Sequence, residues 1–105
     1  MKIIAKTIYT KGYYLEWSTE FMDKWEGTEA IPGQQPNDIQ VNLKTKKGKY
    51  LADAICHYGS YGVEDNLWEI MSAHPPKSWG DSVKGHLTWK EVMKYFDREV
   101  KLNEN

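Results

Sequence analysis

Residues 37–43, Asn-Asp-Ile-Gln-Val-Asn-Leu, alternate in polarity and constrain the fold more than any other stretch. Ile39, Val41 and Leu43 fall on one side of an extended chain, with Asp38, Gln40 and Asn42 on the other. A helix would scatter these residues around its circumference. The chain must therefore build a sheet with one wet face and one apolar face, and something must cover the apolar face. Lys44-Thr-Lys-Lys-Gly-Lys49 is a polar hairpin tip, and residues 50–57 return as the next strand. Ala52, Ala54 and Cys56 give that strand a face of small side chains, suited to close approach by a helix or a second backbone. Leu51, Asp53, Ile55 and His57 are expected on its other face.

The rest of the chain supplies partners for this pair. Residues 2–9 are rich in β-branched side chains and read as a strand. Gly12 turns the chain, and Tyr13–Trp17 forms the second arm of a hairpin, with Tyr13, Leu15 and Trp17 on one face. Ser18 has the character of a helix N-cap, and the Trp17–Met22 spacing that of a hydrophobic staple, predicting a short helix over 19–26. Residues 27–36 contain two prolines and no periodicity, so they read as a loop. Residues 63–72 satisfy two templates. Val63, Leu67, Ile70 and Met71 have helical spacing, whereas Gly59, Gly62 and Asp65-Asn66 favour a turn followed by a strand. The strand is the preferred reading. Val83–Leu87 is short and extended. Thr88 and Glu91 form a capping box, and Trp89, Val92, Met93, Phe96 and Val100 then recur at helical spacing, predicting a helix over 89–101. The expected fold is α+β in one domain, residues 1–105: an antiparallel sheet of four to five strands packed against a C-terminal helix, plus the short helix near 19–26.

Charge and composition exclude some functions. Fourteen basic and fifteen acidic side chains leave a net charge of −1, unlike the basic excess of a duplex-DNA binder. No apolar run nears the roughly 18 residues that cross a bilayer, and no signal peptide is expected. The single Cys56 forms no internal disulfide, which suits a reducing cytoplasm. His57, His74, His86 and Cys56 lack ligand spacing, so neither metal nor cofactor is expected. Cys56, on the small-residue face, reads as a buried and inert thiol.

Five Trp and seven Tyr against two Phe are the unusual feature. Such rings favour half-buried sites and interfaces, and they also enlarge a thin core. Tyr58, Tyr61, Trp68 and Trp79 gather near the glycine turn and the proline loop. Exposed, they would form a contact surface for a partner protein, with His57 beside them; buried, they are core. A homo-oligomer is compatible with either case. Two alternatives stand beside this reading. A pocket around His57, Tyr58 and Trp68 would hold a small, nucleotide-like ligand to be bound or hydrolysed. For acid–base work His57 would need Glu69 or Glu64, because Asp53 lies roughly 13 Å along the strand. Lys44, Lys46, Lys47 and Lys49 near aromatic rings would suit single-stranded nucleic acid, although a solvated hairpin tip is the commoner meaning of such a run.

The second half, residues 50–97, carries the strand end Ala54-Ile-Cys-His-Tyr-Gly-Ser-Tyr-Gly62, the segment Leu67-Trp-Glu-Ile-Met71, and Asp81-Ser-Val-Lys-Gly-His-Leu-Thr88 before an amphipathic helix. In these features it resembles small accessory proteins of phages and prophages of Gram-positive bacteria. The resemblance implies no catalytic residue. It implies a phage or prophage accessory protein acting in the cytoplasm of the bacterial host, and the leading expectation for such a chain is a small non-enzymatic binding protein that acts on a host or defence component by protein–protein contact.

Overall fold

A computed structural model describes residues 2–19, 38–57, 59–80 and 83–105. Six strands form one antiparallel sheet in chain order: β1 (Lys2–Thr10), β2 (Tyr13–Thr19), β3 (Asp38–Thr45), β4 (Tyr50–His57), β5 (Trp68–Ser72) and β6 (Val83–Leu87). Among the described residues one α-helix, α1 (Trp89–Glu104), follows β6 and lies against β4, β5 and β6. The fold is α+β, as the periodicities predict. The sheet has six strands rather than four to five, because both short segments of the second half join it. Residues 63–72 divide into a 3-10 turn, Val63–Asp65, and strand β5. Asn66 takes the left-handed conformation that ends the turn (φ 59°).

The pairing register explains which residues are inside. Leu15 faces Leu43, Trp17 faces Val41, Val41 faces Ala54, and Ala54 faces Ile70. These cross-strand pairs make a continuous apolar face, and all of these side chains are buried. The side chains of Ala52, Ala54 and Cys56 are fully buried in the same core. Leu51 corrects the strict alternation. Leu43 pairs with Ala52 but Lys44 pairs with Tyr50, so β4 carries one extra residue there. The bulge brings Leu51 into the core, where alternation assigns it to the other face. Ser18 is a second correction. It pairs with Gln40 as a strand residue, because β2 runs on to Thr19, so it is no helix cap. The helix predicted over 19–26 and the loop over 27–36 otherwise fall outside the described residues.

Helix α1 covers the apolar face. The Thr88 hydroxyl accepts from the backbone N–H of Glu91 at 3.2 Å, and the Glu91 carboxylate accepts from the Thr88 N–H at 3.0 Å. The bond from the Thr88 N–H, and one from the Thr88 hydroxyl at 3.1 Å, hold the Glu91 carboxyl below its ordinary pKa. Val92, Phe96 and Val100 are buried. The Phe96 ring meets Tyr9 edge-on at 5.9 Å and Trp89 at 6.2 Å. Tyr9 donates to the Met93 carbonyl and to the Asp97 carboxylate, tying edge strand β1 to the helix. Burial and the bond to Asp97 raise the Tyr9 hydroxyl well above the usual phenol range, so it stays a donor.

Phe96→Ala is expected to cost about 3–5 kcal/mol, since it empties a closed site between helix and sheet. Chemical denaturation checks this, and a loss under about 1 kcal/mol would mean loose packing there. Thr88→Ala should cost about 1 kcal/mol through the freed N–H groups, read as a lower denaturation midpoint.

Candidate functional site

Of the aromatic residues singled out in the sequence, the described ones, Tyr61, Trp68 and Trp79, do not form one surface. Trp68 is 1% exposed. Its ring lies 5.1 Å from Trp89, which also contacts Trp17 at 5.4 Å. These indoles lie beneath the start of α1, so Trp68 is not available to a partner. Trp79 sits on a 3-10 turn, Lys77–Trp79, half-buried edge-on against Tyr95 of the helix at 5.2 Å. Tyr61 is exposed at 57%. Its backbone is held between Glu69, which accepts from the Tyr61 N–H at 3.1 Å, and the His86 N–H, which donates to the Tyr61 carbonyl at 3.1 Å. A Cβ at Gly85 would stand 2.2 Å from the Tyr61 Cβ, so only glycine allows the turn to close on β6. Tyr58 lies outside the described residues.

His57 lies on the opposite face of the sheet from Trp68. It follows the buried Cys56 on β4 and pairs with Asp38. Trp68 belongs to the helix-covered face. A single pocket between His57 and Trp68 is therefore ruled out by alternation along the strands. The His57 backbone N–H donates to Ser60 Oγ at 3.1 Å, and its carbonyl accepts from the same hydroxyl at 2.8 Å. Glu69 pairs with Ile55 on the His57 face, while its carboxylate holds the Tyr61 turn.

That face instead carries a polar network. Lys44 Nζ lies 3.1 Å from Glu16 Oε1, and Lys6 Nζ lies 4.0 Å from Glu16 Oε2. Gln40 donates to Asp53 at 3.2 Å and to Asn42 at 3.3 Å. The Tyr50 hydroxyl donates to the other Asp53 oxygen. Burial raises the Asp53 carboxyl, against the bonds from Tyr50 and Gln40 that lower it; Glu69 adds to the rise and His57 opposes it. Burial and the bond to Asp53 also raise the Tyr50 hydroxyl well above the phenol range.

The sequence reading passed over the most deeply buried carboxylate among the described residues. Glu99 is 1% exposed on the covered side of α1. Its Oε1 accepts from Ser72 Oγ and from Arg98 Nη1 at 2.9 Å, and its Oε2 faces His74 Nδ1 at 3.7 Å. The signal was present: Glu99 is three residues after Phe96 and seven after Val92, within the helix's inward stripe. Among the described residues, no group of three His, Cys, Asp or Glu side chains is placed to hold a metal.

Two concavities open beside edge strand β1. A cleft of about 370 Å³ is lined by Ile8, Tyr13, Tyr14 and the turn residues Lys11, Gly12 and Lys46. A groove of about 480 Å³ runs between β1 and α1, lined by Tyr9, Thr10, Lys90, Met93, Lys94 and Asp97. The Lys46 N–H donates to the Gly12 carbonyl at 2.9 Å, joining the two hairpin tips. Tyr13 accepts from Asn103 at 3.2 Å, fixing the same end of the sheet to the helix. Among the described residues Ile8 is the most exposed large apolar side chain, at 85%. No described strand lies beyond β1. No helix among the described residues is long and apolar enough to cross a membrane.

Comparison with family models, with curated proteins and with solved structures gave no match.

The buried carboxylate of Asp53 carries a pH prediction. Its raised folded-state pKa means that the folded chain binds this proton more tightly than the unfolded chain. That contribution is full in acid and is lost as pH rises through the folded pKa. Wild type should therefore gain stability relative to Asp53→Asn as pH falls from neutral into the carboxylate range. Urea denaturation of both proteins across that range reads the difference, and a pH-independent difference would remove burial as the cause.

Proposed function

We propose that this chain is a non-enzymatic binding protein that meets a partner protein along the outer edge of β1. The observation that carries this reading is Ile8, 85% exposed on a terminal strand with no described neighbour beyond it. A free edge offers a row of backbone donors and acceptors, the template for strand addition by a partner. An apolar side chain beside those groups supplies contact area that water does not favour. The groups first considered for chemistry have other engagements: Cys56 is buried, His57 and Trp68 are on opposite faces, and Glu69 braces a turn. Tyr61 and Trp79 remain accessible in part, but on separate supports. The resemblance of residues 50–97 to phage and prophage accessory proteins favours a host or defence component as the partner, in a bacterial cytoplasm.

The test compares wild type with Ile8→Gln in affinity capture from a Gram-positive lysate. At so exposed a position the substitution should change stability by no more than about 0.5 kcal/mol. A protein retained by wild type and lost by the variant, with equal melting of the two baits, is the expected result. Equal capture by both would move the contact surface away from β1.

A further inference from the structure

Edge strand β1 is flanked by lysines on both faces of the sheet. The cleft on the polar side is lined by Lys11 and Lys46, and the groove on the helix side by Lys90 and Lys94. Lys6, at the middle of the strand, lies by Glu16 and the Tyr14 ring. Among the described residues, no carboxylate is within ion-pairing distance of Lys11 or Lys46. Among the described residues Asp97 is the one carboxylate lining either concavity, and Tyr9 already donates to it. Each concavity also has an apolar wall: Ile8 and Tyr14 on one side, Met93 and Tyr9 on the other.

A strand added to β1 would send successive side chains to opposite faces, one set into the cleft and the other into the groove. Two concavities on opposite sides of one edge therefore match an extended peptide. Single-stranded nucleic acid needs a run of rings on one surface and no backbone edge. A second copy of this chain fits poorly. In an antiparallel β1–β1 pair centred on the strand, Lys6 would face Lys6, and like charges directly opposite are destabilising. A central lysine guards an edge against self-pairing while an acidic strand is still accepted.

We infer that β1 takes an extended, acidic segment of a partner protein, its alternate side chains entering the Ile8–Tyr14 cleft and the Tyr9–Met93 groove. This rests on the β1-edge reading and adds the chemistry of the occupant. The lysines supply charge attraction and faster encounter, and the strand edge supplies register.

The probe is a labelled peptide with the repeat Glu-Glu-Leu-Leu, which in an added strand places glutamate and leucine on both faces, followed by fluorescence anisotropy. Its controls are the same peptide with lysine for glutamate, the same peptide with N-methylated backbone amides, and oligothymidylate. Binding by the acidic peptide alone, weakened about tenfold or more by the pair Lys11→Glu and Lys46→Glu at unchanged melting temperature, is the expected result. Lys94→Glu on the helix side should weaken it as well. Equal binding of the N-methylated peptide would overturn strand addition in favour of diffuse charge attraction. Lysine-dependent binding of oligothymidylate in place of the peptide would overturn the choice of occupant. If Ile8→Gln abolishes capture of a protein that the acidic peptide cannot displace, the acidic chemistry fails while the β1 contact stands.

Discussion

A six-stranded sheet with one apolar face is not stable in water until that face is covered, and here α1 covers it. The helix begins two residues after β6 ends, so its direction is set by the last strand and by the Thr88 cap. Trp89, the first helical residue, contacts Trp17 from the first half of the chain and Trp68 from the second. Phe96 then meets Tyr9 at the edge strand. One helical stripe thus joins strands remote in sequence. The strands themselves pair only with their neighbours in the chain, so the sheet needs few distant contacts of its own.

Legibility in the sequence followed the length and regularity of each pattern. Ile39, Val41 and Leu43 gave β3 its inward face correctly because β3 is long and half-exposed. The capping box located the start of α1 for a similar reason: it is a local geometric device that needs no tertiary context. Strands β5 and β6 are five residues each, short enough for helical and extended templates to compete, and the strand count suffered accordingly. Leu51 escaped because a bulge breaks the period of two. Glu99 escaped because an apolar pattern counts hydrophobic residues and ignores a carboxylate among them.

The aromatic residues show where composition stops being informative. An excess of Trp and Tyr was compatible with core or with surface, and the chain uses both. Trp17 and Trp68 are inside, Trp79 leans on Tyr95, and Tyr61 is exposed. Proximity in sequence misled most at His57 and Trp68. Eleven positions apart along the chain, they are separated by the thickness of the sheet. The concavities beside β1 had no sequence signature, since their walls come from two hairpin tips on one side and from a strand and a helix on the other.

The contact of Trp89 with both Trp17 and Trp68 also gives the molecule an optical consequence. Indoles at centroid distances of 5.1 and 5.4 Å couple electronically, and their fixed relative tilt makes the coupled transitions chiral. The junction of helix and sheet therefore contributes to the near-ultraviolet circular dichroism. A state that keeps its strands and helix but lets α1 lift away would lose that contribution while the backbone part of its far-ultraviolet spectrum persisted. The chain carries its own reporter of whether the two layers are joined.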